Sequence, residues 1–448
     1  MKPKQQVSHA DLFRSRLSQI LNLDHALLIL AEKIDCARFE AAIDACYASE
    51  IGRPGISTRV MVGLLYLKSA FDCSDESLME LWVENSYWQA FCGFEYMQHE
   101  PPIDPSSLSR WRKRVGAERL EMLLKVVVDT AIAMKAIKPA ELEKVNVDTT
   151  VQEKAIAFPT DARLYHKMRL KLVRRAKDLG IRLRETYEKR GREAFIMNDR
   201  YSHARQYKRA ARMRRRLKTY LGRICRAIRK LAPQADGQIE DAKLRSLLEI
   251  ADRIMAQTKT SKDKIYSIHE PDVKCIAKGK AHKKYEFGCK VSVATTSRTN
   301  WVLGVQALDG NPYDGHTLNK ALTQVERISG KTPKDVMVDR GYQGHDYEGT
   351  AAIHVVKKIS KTLSHAMRRM LKRRAAIEPV IGHLKSDCRM DRNHLKGVEG
   401  DRINAILSGA GYNLRKLLRW LVFVVIQWLS AALVVLSNAR KSPKLAHE

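Results

Sequence analysis

The sequence predicts an α/β protein: a sheet of mixed strand direction, preceded by an all-helical segment and interrupted by a basic helical insertion. Three observations predict it. Residues 11–130 carry helical periodicity, whereas period-two alternation begins only near residue 144. A later hairpin pattern gives way to short apolar strands separated by helices, the order expected of a mixed sheet. Between the first strand and that hairpin, residues 161–230 hold 25 Lys/Arg against six Asp/Glu, and no Pro occurs from 160 to 232.

In chain order, Arg59–Lys68 shows an apolar helical stripe. Ser74 is placed to cap a helix through Leu78, Leu81 and Trp82. Asp104-Pro105 is a strong helix start, a capping carboxylate with Pro in the first turn. The helix that follows, 105–115, puts Arg110 and Arg114 on one face and Trp111 on the other. It reads either as a helix-turn-helix reader of DNA or as a basic helix packed on its own domain. Lys144–Gln152 alternates as a strand. The insertion reads as long helices whose polar faces are dominated by residues such as Arg174, Arg182, Arg212, Arg214, Arg215 and Arg216. Tyr285–Ala294 and Trp301–Leu308 flank a turn at Ser297–Asn300. A helix from about Thr317 to Ile328 precedes short strands at Val336–Asp339 and Ala352–Val356, and helices close the chain over about 362–389 and 400–437. The expected divisions are a helical domain over 1–135, a catalytic domain over 140–440, and within it the insertion over 161–260.

Lys plus Arg is 81 and Asp plus Glu is 50, a net charge of +31. With 44% hydrophobic residues there is material for a core, which excludes a disordered or collagen-like chain. The charge excess calls for an anionic partner, nucleic acid before a membrane surface. The insertion alone carries +19, and like charges one turn apart destabilise a helix, so a phosphate-facing module explains it better than a solvated hairpin. Eight cysteines form no CxxC pair, so neither a zinc knuckle nor a disulfide framework is indicated. With no apolar signal segment at the N-terminus, a reducing cytoplasm is the expected compartment. Trp420–Leu436 has only Gln427 and Ser430 as polar residues, borderline for a membrane span. A closing helix buried against the sheet is the preferred reading, because Ile403–Leu418 is already amphipathic.

Two aspartates stand at the ends of apolar strand runs, Asp148 in Val-Asn-Val-Asp and Asp339 in Val-Met-Val-Asp. Carboxylates there are desolvated on one side and open on the other, which suits a hard divalent cation. Glu378 is the candidate third acid. Arg374 precedes it by four residues and Lys385 follows by seven, so one helix would put all three on one face, with Pro379 expected to kink it. Ser329-Gly-Lys-Thr332 is not a P-loop, because Val325 stands where its first Gly is needed. His316 reads equally as a site residue or as part of the start of the next helix. Lys278, Lys280, Lys283 and Lys284 are placed to touch backbone phosphate.

These motifs resemble a bacterial DDE transposase of the insertion-sequence-5 type. The resemblance rests on Val147–Thr150, His282–Gly288, Gly310–His316, Val338–Gly344 and the Glu378 segment, and covers nearly the whole chain. It implies an RNase H-like mixed sheet with Asp148, Asp339 and Glu378 as catalytic metal ligands for Mg²⁺ or Mn²⁺. Arg374, Glu378 and Lys385 match the family's Tyr-x2-Arg-x3-Glu-x6-Lys signature, with Leu371 where Tyr is expected. The implied activity is two-metal cleavage and joining of double-stranded DNA at the ends of an insertion sequence, without ATP. DNA contacts are expected from Arg374, Lys385, Arg110, Arg114, Arg212, Arg214, Arg215, Arg216, Lys283 and Lys284. A homodimer is implied by two element ends, and a nucleoid-associated cytoplasmic location by the substrate. The alternative is a DNA-binding protein, decayed or domesticated, without catalysis.

Overall fold

The computed structural model describes residues 14–43, 46–47, 55–235, 238–277, 284–356 and 364–441, the side chains of 235, 238, 366, 367, 370 and 425–441 apart. Contacts divide the chain into two units, residues 1–153 with 289–448, and residues 154–288.

The first unit begins with helices α1 (Leu17–Ile20), α2 (Ala26–Lys33), α3 (Ala37–Ile43), α4 (Thr58–Ala70), α5 (Asp75–Glu84), α6 (Ser86–Phe91) and α7 (Pro105–Ala133). α4 is apolar almost all round and correspondingly buried from Val60 to Leu67, which is how a central helix reads. Ser74 caps α5 by accepting from Ser77 N, and Asp104 caps α7 by accepting from Ser106 N. α7 is two helices joined at Gly116, whose φ of 79° is open only to glycine at low cost. There the Glu399 carboxylate accepts the Ala117 N–H at 2.6 Å and caps the second half.

Strand β1 (Lys144–Glu153) lies in a sheet with β5 (Tyr285–Thr296), β6 (Val302–Leu308), β7 (Asp335–Val338) and β8 (Ala352–Val355), in the order β6-β5-β1-β7-β8. β5 and β6 form the expected hairpin, antiparallel. The Ser297 N–H donates to the Lys144 carbonyl, joining the end of β5 to the start of β1, so those two also run antiparallel. β1, β7 and β8 are parallel. α12 (Leu318–Ser329) crosses from β6 to β7, and α15 (Gly397–Lys441) packs on α4, α7 and β6. The buried Asn413 of α15 supplies β6 with the partner a strand edge lacks. Its side chain accepts from Val302 N at 3.0 Å and donates to Val302 O at 2.8 Å. One hydrophobic cluster runs through the N-terminal helices and the sheet.

The closing helix was expected to stay buried over 420–436. Leu421 is buried, but Val422, Phe423 and Val424 are exposed, so the helix has left the core there. The remaining side chains of that run lie outside the described residues. Among the described residues no helix is long and apolar enough to cross a membrane.

The second unit contains α8 (Asp161–Asp178), α9 (Glu188–His203), α10 (Tyr207–Leu231) and α11 (Ala242–Ala256) around their own hydrophobic cluster. It also holds a short pair, β2 (Gln234–Ala235) with β3 (Gln238–Ile239), and β4 (Lys274–Ala277), which pairs with the first residues of β5. α10 buries Leu217, Leu221, Ile224 and Ile228 and turns its arginines outward.

A second difference from the sequence reading concerns residues 362–389. No single helix kinked at Pro379 forms. α13 (His365–Arg373) ends, a 3-10 turn spans Arg374–Ala376, and α14 (Ile377–Ser386) starts afresh. Pro379 falls in the first turn of α14, where its missing N–H has no intrahelical partner to lose. The break precedes it because Asn146 and Arg373 tie this point to the sheet. Asn146 Nδ2 donates to the Arg373 carbonyl at 3.0 Å, and the Arg373 guanidinium donates to the Ser297 and Arg298 carbonyls.

Candidate active site

β1 and β7 are parallel with Asn146 opposite Met337. Two residues further along each strand the same register brings Asp148 level with Asp339, and period-two alternation puts both on one face. β7 stops at Val338 because Asp339 turns its carboxylate back, its Oδ1 accepting the Gly341 N–H at 2.9 Å and capping the turn Arg340–Tyr342. Asp148 and Asp339 are thus strand-end carboxylates in register, 191 residues apart in sequence.

Arg374, delivered by the 3-10 turn, lies among the acids. Its Nη2 is 2.8 Å from Asp148 Oδ2 and 3.5 Å from Asp339 Oδ2, and its Nη1 is 3.2 Å from Glu378 Oε1. The Arg374 side chain is 14% exposed and Asp148 15%, against 40% for Asp339 and 65% for Glu378, so the cluster opens toward solvent on the Glu378 side. Among the described residues no group of three or more His, Cys, Asp or Glu is close enough to close around a metal ion. The carboxylates converge on a guanidinium instead, because anions gathered in a half-buried place need a counter-charge and Arg374 is one helical turn from Glu378. The donor set is hard oxygen throughout and already holds one cation, which is the chemistry a hard divalent ion requires.

Lys385, seven residues after Glu378 on α14, is half-buried. His316 is exposed in a 3-10 turn, Asp314–Thr317, that leads into α12, its ring edge-on to Tyr313. Arg110 and Arg114 are exposed on α7, and Arg110 donates to Ser107 Oγ. Trp111 between them is buried and donates to the Tyr47 hydroxyl at 2.7 Å. Arg212, Arg214, Arg215 and Arg216 are exposed on α10. Lys284 is exposed with its ammonium over the Tyr285 ring, whereas Lys278, Lys280 and Lys283 lie outside the described residues. The structure therefore brings Asp148, Asp339, Glu378 and Arg374 together. The α7 arginines are far from that group in the chain, and the α10 arginines belong to the other unit.

Sequence reasoning missed Lys290 and gave no role to two further neighbours of this centre, Asp314 and Tyr342, although both lie in segments that carry the family resemblance. Lys290 on β5 is 9% exposed and pairs with Asp314 at 2.6 Å. Asp314 also accepts the Thr149 hydroxyl at 2.7 Å. Tyr342 is fully buried, and burial followed by the charges of Asp148, Asp314 and Asp339 pushes its phenol well above its ordinary value. For Lys290 the available signal was the residue itself, a lone charge within the run Cys289–Ala294.

Comparison with known proteins adds two family matches. Residues 15–114 match a transposase domain (DUF772), and residues 250–414 match a transposase DDE domain, the segment that carries Asp339, Arg374 and Glu378. The chain is also 53% identical over 197 residues to a Rhizobium meliloti protein described as uncharacterized protein ORF8 in nfe locus, covering 44% of this chain and 95% of that protein. No solved structure matches the chain.

Proposed function

The chain belongs to the bacterial DDE transposases, metal-dependent enzymes that cleave DNA, and from that premise we propose that it cuts and rejoins DNA at the ends of an insertion sequence of the insertion-sequence-5 type, with Asp148, Asp339 and Glu378 as its catalytic acids. The observation that carries this reading is the register of Asp148 with Asp339 on parallel strands, with Arg374 joining both to Glu378. The sheet order, with its antiparallel hairpin beside three parallel strands, supports an RNase H-like catalytic fold.

Bound Mg²⁺ or Mn²⁺ supplies Lewis acidity for in-line displacement at phosphorus. The chain's own contribution is positional. Asp148 and Asp339 stand on a rigid sheet, so their spacing is set by backbone pairing rather than by side-chain freedom. Glu378 comes from α14, the more exposed of the three, and closes the set from the solvent side. Arg374 neutralises the acids at rest and is a bidentate partner for phosphate once they are otherwise paired. Lys385 adds charge on α14, the helix that carries Glu378. The α7 pair Arg110 and Arg114 in the 1–135 segment reads the element ends, and the basic helices of the 161–260 insertion hold backbone phosphate. Synapsis of two ends calls for a homodimer, acting at the nucleoid in the cytoplasm.

The test is Asp339→Asn with Mg²⁺ and with Mn²⁺ on DNA carrying the native element ends. Cleavage should fall below detection while end binding stays within about twofold of wild type, since phosphate contacts lie elsewhere. A variant that still cuts in Mg²⁺ would refute the assignment.

A further inference from the structure

We propose that the ion pair of the buried Lys290 with the half-buried Asp314 sets how tightly the carboxylates of Asp148 and Asp339 hold a divalent cation, with Asp314 keeping the Lys290 ammonium off them. The inference rests on the metal-site reading above and concerns residues that reading does not use.

The pair is built in, not incidental. Lys290 is 9% exposed on its side chain, and its ammonium donates to Asp314 Oδ1 at 2.6 Å and to the Pro312 carbonyl at 2.7 Å. An ammonium buried that far keeps its charge only with a carboxylate beside it. The same Asp314 oxygen accepts the hydroxyl of Thr149, the residue that follows Asp148 on β1. The other oxygen of Asp314 faces the turn after β7. A Cβ placed on Gly341 would stand 2.9 Å from Asp314 Oδ2 and 3.0 Å from Asp339 Oδ1, so one methyl-sized gap separates the two carboxylates. The buried Tyr342 phenol feels the charge of all three aspartates.

Lys290 is therefore one carboxylate away from Asp339. With Asp314 in place, the pair presents no net charge to the catalytic acids. Take away the charge of Asp314, and a buried ammonium is left whose next anions are those acids, where it competes with a metal ion. Take away the charge of Lys290, and an extra carboxylate faces Asp339, which favours a cation. The two changes have opposite signs and cancel when combined. A purely structural pair would lower metal affinity, or leave it alone, whichever partner was removed.

The experiment measures Mn²⁺ binding to the full-length chain by electron paramagnetic resonance, without DNA. Asp314→Asn, which keeps an acceptor for Thr149, should weaken binding at least about tenfold, and Lys290→Met should tighten it by a similar factor, as one unit charge several Å away requires. The double variant should return to within about threefold of wild type. A double variant as weak as Asp314→Asn alone would overturn the inference, because Asp314 would then be acting by itself. So would unchanged binding in both single variants. Should Asp314→Asn fail to fold, Lys290→Met and the double variant still decide: no tightening in the first overturns the proposal. Asp339→Asn is measured alongside. If it binds Mn²⁺ like wild type, the metal-site reading falls and takes this inference with it; if it loses binding while the pair variants do not differ from wild type, the inference alone falls.

Discussion

Arg374, half-buried, and Arg112, fully buried, show how differently two arginines serve one chain. Arg374 has three acids and is shared among them, on a side open to solvent at Glu378. Arg112 is 2% exposed and locked bidentately to Asp75 at 2.8 and 2.5 Å, with Lys68 2.9 Å from the same carboxylate. Burial pushes the Asp75 carboxyl up, but Arg112 and Lys68 outweigh it and hold it at about 2. A carboxyl depressed in the folded state contributes stability above its unfolded value near 3.8, and that stability is lost as pH falls toward 2. Chemical denaturation at pH 5 and again near pH 2 should show wild type losing roughly 2 kcal/mol more than Asp75→Asn over that interval. Equal losses would mean that Asp75 contributes no pH-linked stability. Asp75→Asn should itself be less stable at pH 5 by about 3 kcal/mol or more, since it strands Arg112 in the core.

Among the elements, α10 is the plainest division of labour. Ala210, Leu217, Leu221, Ile224 and Ile228 face the core of its unit, while Arg212, Arg214, Arg215 and Arg216 face out. Among the described residues, only Arg214 of those four has a carboxylate in range, Asp161 at 4.0 Å, so the face keeps its charge there. Replacing all four with Gln preserves helix propensity and removes four charges. If half of them neutralise phosphates, the slope of log K against log salt should flatten by about two units, with equal loss on element ends and on random DNA. A folded variant with an unchanged slope would assign this face to solvent or to another protein chain.

At the scale of the whole molecule, the two units keep separate hydrophobic clusters, so calorimetry of the full chain should resolve two transitions. His166 marks the one that belongs to residues 154–288. Its ring stacks on Phe195 at 4.9 Å, and burial, then Arg169 and Lys167, lower it to about 4. Between that value and 6.5 the unfolded chain binds the proton and the folded one does not, so stability rises with pH across this window. Acidification from pH 7 to pH 5 should lower one transition in wild type and lower it less in His166→Phe. A single transition, or two that move together in both proteins, would contradict the division.

What the sequence determined by itself was everything local. A period-two run placed β1, a turn between two strand-like runs placed β5 and β6, a short apolar run placed β7, and caps at Ser74 and Asp104 placed two helix starts, because such patterns depend on residues within one turn or one strand. Asp148 and Asp339 were legible for the same reason, as carboxylates closing apolar strand runs, and Glu378 from its spacing to Arg374 and Lys385. The tertiary structure decided what those residues do to one another. Only the parallel pairing of β1 with β7 sets Asp148 level with Asp339. Only the Asn146 and Arg373 contacts break the helix ahead of Pro379 and swing Arg374 among the acids. Only the fold buries Lys290 and so selects Asp314 as its partner. Each of these depends on segments far apart in the chain, where the energy of desolvating charge and pairing backbone overrides any preference a short stretch can express.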